Sequence, residues 1–367
     1  MYKDRTVTVS YSMAHFLTDM GCAMLICRFA GIVTGTAGVL TPFLVVITYD
    51  FFAFVTELPA GAFLDHIYRH RGHKNRNGLI AASGCIVIAI LELSAAGIKS
   101  LSPFLFLPAA VITGIANAMF HMGAGIDIIN MSGRRASLSG FFISGGAAGL
   151  FLGTCSASLF DADPRPMLLS GFLLLVTALL IIWEYHHVTV FIDNTDRTDI
   201  RTGKACLIAT LSLLFLVIAY RGFLGFSSRY SWRSGFMIGL AAALFTDAGK
   251  AAGGWAADRF GWRNTIAVSL FLCSVFAVFS DSSIFAGCMT LLLFNMTMPV
   301  CMMGLANLLP AWKGAAFGLN TTALFLGFVS YRLIRIPVSG LLSGVMTVIS
   351  AFILLLILHI APEAEKI

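Results

Sequence analysis

The chain has 367 residues, of which 58% are hydrophobic and only 11% charged. A soluble domain carries about 25% charged residues, so this composition excludes a water-covered globule and the soluble enzymes built on one. The formal net charge of +6 would fit a nucleic-acid partner only if the basic residues gathered on one soluble face, and they do not.

Apolar stretches of roughly 20 residues, enough to cross a bilayer, recur along the whole chain and predict about twelve spans. Six are expected at 7–29, 37–64, 77–98, 102–126, 136–160 and 166–186, and six more at 204–226, 234–257, 264–281, 284–308, 314–332 and 336–360. Between them lies the one sizeable polar stretch, with Asp193, Asn194, Asp196, Arg197, Asp199 and Arg201. The expected organisation is a six-helix bundle over 1–187, a linker over 188–203 and a second six-helix bundle over 204–367. The fold class is all-α integral membrane, in two pseudo-symmetric halves. After the short polar start Met1 to Arg5, the first apolar stretch is too long for a signal-peptide core.

With that assignment, alternate loops carry Lys3 and Arg5; Arg69, Arg71, Lys74 and Arg76; Arg134 and Arg135; Arg197, Arg201 and Lys204; Arg259 and Arg263; Lys313; and Lys366. The opposite loops hold Lys99, Arg165, Arg229, Arg233, Arg332 and Arg335. This asymmetry predicts that both termini are cytoplasmic. The basic balance is therefore topology, and no nucleic-acid partner is expected.

The eight cysteines form no CxxC pair, so neither a zinc site nor a disulfide framework is expected. No cofactor is expected, nor an enzyme: there is no HExxH helix and no GxSxG elbow. Pro42, Pro59, Pro108, Pro299 and Pro337 fall in or at the ends of spans, where they kink a membrane helix. Gly145, Gly149 and Gly153 form a ridge for close helix approach, expected to pack between the two halves.

Ionised groups inside a bilayer are costly, about 2.5–3.5 kcal/mol each at the helix centre, so they are the functional candidates. His15 and Asp19, one helical turn apart, form a pair able to pass a proton, and Asp50 and Glu57 share one helix face two turns apart. These four are the candidates for proton coupling. Glu92 and Arg28 are also embedded. The candidates for a substrate cavity are His121, Asn117, Arg221, Asp247, Lys250, Asn295 and Asn320, with Asn307 a further polar position. Asp247 and Lys250, three residues apart, are also placed to neutralise each other.

One phrase occurs twice. Glu57-Leu-Pro-Ala-Gly61-Ala-Phe-Leu-Asp65 returns as Lys250-Ala-Ala-Gly-Gly254-Trp-Ala-Ala-Asp258, followed by Arg259, Phe260, Gly261, Trp262 and Arg263. Each copy closes an apolar segment and keeps a charge, a Gly and an Asp at four-residue steps. The second copy resembles the loop motif of the major facilitator superfamily (MFS) between its eighth and ninth helices. The first is similar to the motif between the second and third, with His66 where the motif prefers Arg and without its following Gly. Within that superfamily, His15-Phe-Leu-Thr-Asp19 and Phe120-His121-Met-Gly-Ala-Gly125 resemble the fosmidomycin-resistance group of efflux carriers. The fifth span lacks the Gly-Pro pair typical of antiporter members.

The resemblance implies the MFS fold and alternating access around a cavity between the halves. It further implies that Gly61, Asp65, Gly254, Asp258, Arg259, Gly261 and Arg263 form the cytoplasmic gate, and that helices five and eight pack together, bringing the glycine ridge to Gly253 and Gly254. The expected function is secondary transport of a small molecule, by proton-coupled export. An organic-anion uniporter or exchanger using Arg221 and Lys250 is the alternative, ahead of a metal or cation carrier or a non-transporting receptor. The expected partners are the small-molecule substrate, protons and the lipid bilayer of the cell membrane, and the expected state is a monomer.

Overall fold

The computed structural model describes residues 2–34, 42–71, 75–97, 105–159, 163–188, 203–227, 230–334 and 338–365. Most of the 188–203 linker, Lys74, Lys99, Arg197, Arg201, Arg229, Arg335, Pro337, Lys366 and the side chains of Lys3, Arg5 and Arg71 lie outside what is described.

Twelve helical spans run through the described residues, as predicted. They are α1 (Tyr2–Thr34), α2 (Pro42–Asp50, Phe51–Val55 and Glu57–Arg71), α3 (Asn77–Gly97), α4 (Phe106–Ser132), α5 (Ser137–Phe142, Ile143–Gly145 and Gly146–Leu159) and α6 (Arg165–His187). The second set is α7 (Lys204–Ser227), α8 (Phe236–Phe260), α9 (Trp262–Val278), α10 (Ile284–Asn295 and Met298–Leu308), α11 (Lys313–Ile334) and α12 (Gly340–Ile360). Nine are long and apolar enough to cross a membrane. Of the other three, α9 is short, with 17 residues. In α1 and α8 the apolar run is interrupted by His15 and Asp19, and by Asp247 and Lys250. The chain is an all-α membrane protein.

The helix contacts repeat between the halves. In the first, α1 packs on α5, and α3 on α4 and α6; in the second, α7 packs on α11, and α9 on α10 and α12. The halves meet chiefly along two equivalent seams, α2 against α11 and α5 against α8. Outward faces are apolar, with Leu169, Leu179, Ile208, Met237, Trp255 and Phe352 exposed, as lipid requires.

Three spans are broken, each for a local reason. Pro59 has no N–H to give to Val55, and α2 runs through a π-helical turn at Phe51–Val55 just before it. In α10, Pro299 sits at the start of the second segment, after the break at Met296 and Thr297. In α5 a 3₁₀ turn at Ile143–Gly145 separates two α-helical pieces. Pro108, by contrast, lies in the first turn of α4, where its missing N–H is not needed.

One packing expectation is corrected. The ridge Gly145, Gly149 and Gly153 does not face the other half. A Cβ at Gly149 would strike the carbonyl of Phe16, and one at Gly153 that of Met20, so the ridge seats α5 on α1 within the first half. Helix α5 does pack on α8, through Ala136, Ser137 and Gly140 against Lys250 and Gly254, while Gly253 abuts Met296 of α10.

Candidate functional site

The repeated phrase builds the seal between the halves. Asp65 on α2 accepts the main-chain N–H groups of Gly314 and Ala315 at 3.0 and 2.9 Å. Asp258 on α8 accepts those of Ala136 and Ser137 at 2.7 and 2.9 Å. Each carboxylate therefore caps the N-terminus of a helix from the opposite half, where unsatisfied N–H groups and the positive end of the helix dipole await an anion. Gly61 against Gly314, and Gly254 against Ala136, are the contacts that let the backbones come close enough. Beyond the second cap, Gly261 takes φ +86°, which turns the chain sharply from α8 into α9. Arg263 pairs with Glu365 at 3.3 Å and donates to the Leu358 carbonyl at 2.9 Å, while Arg259 is exposed.

Deeper in the bundle a second group forms. His15 Nε2 lies 3.2 Å from Asp19 Oδ2, and His121 Nε2 lies 3.6 Å from Asp19 Oδ1. The two imidazoles meet edge to face, with centroids 4.6 Å apart. His15 Nδ1 is 2.8 Å from the carbonyl of Phe142, and His121 Nδ1 is 3.1 Å from that of Asn117. A carbonyl only accepts, so each Nδ1 carries the hydrogen. Each Nε2 of a neutral ring then presents a lone pair to a carboxylate. The contact becomes attractive only when a proton lies between them. The three donor atoms of the group lie within 4.8 Å of one another, close enough for a small cation as well. Asn117 completes the wall, donating to Tyr49 Oη at 2.5 Å.

The break in α5 joins this group to the other half. The carbonyl of Phe142, on the near side of the 3₁₀ turn, accepts the hydrogen bond from His15 Nδ1. A Cβ on Gly146 would sit 2.6 Å from Asp19 Oδ2, so a larger residue there would displace the carboxylate. On the far side, Ala147 and Ala148 donate to Asp247 of α8 at 3.1 and 2.8 Å. Asp247 also pairs with Lys250 at 3.0 Å, and Lys250 lies within electrostatic reach of Asp19. One interrupted helix thus touches His15 and Asp19 on one side and the Asp247–Lys250 pair on the other.

Solved structures show the same architecture. A single-site variant of the E. coli fucose:proton symporter FucP aligns over 98% of both chains, at TM-score 0.59 and 12% identity. FucP described as an MFS transporter in the outward conformation aligns over 98% of this chain and 100% of that one, at TM-score 0.62 and 13% identity. The chain has the major facilitator superfamily fold. No protein-family model and no curated protein sequence matches it.

On the MFS fold, the remaining candidates scatter. Glu57 is buried in the α2–α11 seam near Thr321, with Oε2 unpartnered. Asp50 is half-buried ahead of the π-turn and feels the charge of Arg332 on α11. Arg221 donates to Thr297 Oγ1 and to the Phe294 carbonyl (2.7 Å), with its guanidinium 4.4 Å from the Phe294 ring centroid, so it braces the break in α10. Asn295 donates to Leu291 of its own helix, Asn307 to the Ala364 carbonyl, and Asn320 is buried on α11. Glu92 is buried with its carboxylate against Gly21.

Sequence reasoning missed Asp127, whose carboxylate accepts from Tyr11, Asn75 and Asn77 at 2.8 to 2.9 Å and ties α1 and the start of α3 to α4. Its signal was an acid six residues beyond His121, just past the predicted end of the fourth span at 126. The α5 break was also missed, and no proline marks it.

Proposed function

We propose that this chain is a secondary active transporter that moves a small molecule by alternating access, with protons bound at His15, Asp19 and His121 as the coupling ion. The observation that carries the reading is the contact of that group with the Asp247–Lys250 pair of the other half across the interrupted α5. A change of protonation at Asp19 alters the charge beside Gly146, and Gly146 leads directly into the N–H groups that Asp247 holds. The two seams, each closed at one end by an aspartate on the other half's helix, supply the moving interface. The FucP structures belong to a proton symporter, which agrees with proton coupling on this architecture.

Arg69, Arg76, Arg134, Arg135, Arg259, Arg263 and Lys313 lie at the Asp65–Asp258 end. By the positive-inside rule we read that end, and both termini, as cytoplasmic, in a protein of the cell membrane. The seal at that end makes the described conformation outward-facing. The resemblance of the His15–Asp19 and Phe120–His121 segments to efflux carriers favours export, and nothing in the architecture requires more than a monomer. Among the alternatives, the anion reading has less behind it: Lys250 is paired with Asp247, and Arg221 is engaged by the α10 break.

The test is flux in proteoliposomes, after a thermal-shift screen of metabolites, drugs and divalent cations at two pH values has supplied ligands. Accumulation of a screened ligand against its gradient when a pH gradient is imposed is the expected result. Transport indifferent to the pH gradient for every ligand that binds would defeat the proton-coupled reading.

A further inference from the structure

At the Asp65–Asp258 end, a cavity of about 230 Å³ opens between the halves. Its polar lining comes from two equivalent corners, Asn130 and Arg134 where α4 turns into α5, and Asn307 and Lys313 where α10 turns into α11. Each half thus contributes one cation. Arg134 is held at φ +73°, the only non-glycine residue with positive φ among those described. A left-handed backbone is unfavourable for a residue with a Cβ and persists where the surrounding structure demands it. Here it brings the Arg134 side chain to the cavity wall.

Asn130 positions the second cation. Lys313 Nζ lies 3.1 Å from Asn130 Oδ1. An ammonium group only donates, so it fixes the carboxamide orientation with Oδ1 toward Lys313. The Nδ2 group is thereby turned away, and it is buried with no acceptor. With no accessible surface, that donor lies behind the cavity wall. Asp65 and Asp258 spend both carboxylate oxygens on the N–H groups of α11 and α5. Asp65 does act electrostatically on Lys313, which reduces the positive charge of the corner.

We propose that this cavity binds a phosphate group, held by Arg134 from one half and Lys313 from the other, with Asn130 Oδ1 positioning the Lys313 ammonium. A tetrahedral oxyanion offers acceptors in several directions at once, which suits a guanidinium and an ammonium brought to one cavity by opposite halves. The cavity has room for a phosphate and a small organic substituent. A bound phosphate ties the two halves together at the sealed end and so favours the conformation described. The site stands apart from the His15–Asp19–His121 group, and its occupancy does not depend on the transport reading.

The experiment uses the full-length protein, with thermal unfolding followed against inorganic phosphate and against chloride at matched ionic strength. Phosphate is expected to raise the midpoint saturably above the chloride curve, with the increment lost in Arg134→Gln and Lys313→Gln and retained in Arg134→Lys. Because each variant is compared with its own chloride curve, a general loss of stability does not mimic loss of the site. A second arm places the protein in nanodiscs of phosphatidylcholine with or without phosphatidylglycerol. A Lys313-dependent increment from the anionic lipid alone identifies a headgroup as the source of the phosphate. Equal curves in phosphate and chloride together with no lipid effect, or a phosphate increment that survives both glutamine substitutions, would overturn the proposal.

Discussion

Asp247 of the second half caps Ala148 of the first, its carboxylate accepting the Ala148 N–H at 2.8 Å and that of Ala147 at 3.1 Å. This is a helix cap inside a membrane span. It exists because the 3₁₀ turn at Ile143–Gly145 leaves the first N–H groups of Gly146–Leu159 without partners. Eleven residues further along α8, about three turns on the same face, Asp258 does the same for the start of α5. Two carboxylates on one helix therefore hold two helix starts on its antiparallel neighbour. In hydrocarbon, where no water can replace a lost acceptor, both contacts matter.

Removing the inner cap leaves Lys250 as an unpaired buried charge. Asp247→Ala is expected to destabilise the protein by about 3–5 kcal/mol, the range for breaking a buried ion pair. Asp247→Ala with Lys250→Ala should recover part of that loss. Thermal unfolding of the three proteins checks it, and a double variant no more stable than the single one would show that the Lys250 charge is not the main penalty.

The outer caps act on the conformational equilibrium. Each is worth about 0.5–2 kcal/mol on the scale of a helix N-cap, so Asp65→Ala or Asp258→Ala should shift the balance toward opening at this end by roughly 2- to 30-fold. Distances between spin labels on the α4–α5 and α10–α11 corners would report it. Unchanged distance distributions in the double variant would show that other contacts keep the seam closed.

The close approach at Gly61 predicts a steric effect of the same kind. A Cβ there meets the backbone of Gly314, so Gly61→Ala should loosen the α2–α11 seam and raise labelling of a cysteine placed beside it. Gly97, which has open space around it, is the control, and Gly97→Ala should leave labelling unchanged.

How far the sequence carried the account depends on the interaction involved. The spans, the two halves and the repeated Gly-x3-Asp phrase were legible because bilayer thickness and helical periodicity write themselves into residue spacing. The His15–Asp19 pair was legible for the same reason, since both residues lie on one helix. His121 joins them only by folding of α4 against α1, and no spacing records that. The glycine ridge was correctly seen as a packing surface, but spacing does not name its partner, and it seats α5 on α1. Arg221 looked like a free cation because the broken backbone of α10 that absorbs it is invisible in one dimension. The α5 break has no proline to announce it; it is stabilised from outside by His15 and Asp247.

Arg221 yields a further prediction from that correction. If it braces α10 through Thr297 and the Phe294 carbonyl, Arg221→Met should cost about 1–3 kcal/mol in unfolding stability by leaving a buried acceptor unsatisfied. Binding of anionic ligands should change no more than that of neutral ones. A selective loss of anion binding, with stability intact, would restore Arg221 to the substrate site.

The central claim is that Asp19, held between His15 and His121, couples proton binding to movement of the halves. The most direct measurement compares Asp19→Asn with the unsubstituted protein in proteoliposomes, scoring both pH-gradient-driven accumulation and counterflow exchange of the same ligand. The account predicts that accumulation is lost while exchange persists, since asparagine keeps the shape of the group but cannot carry the proton. Gradient-driven accumulation that survives Asp19→Asn would contradict it.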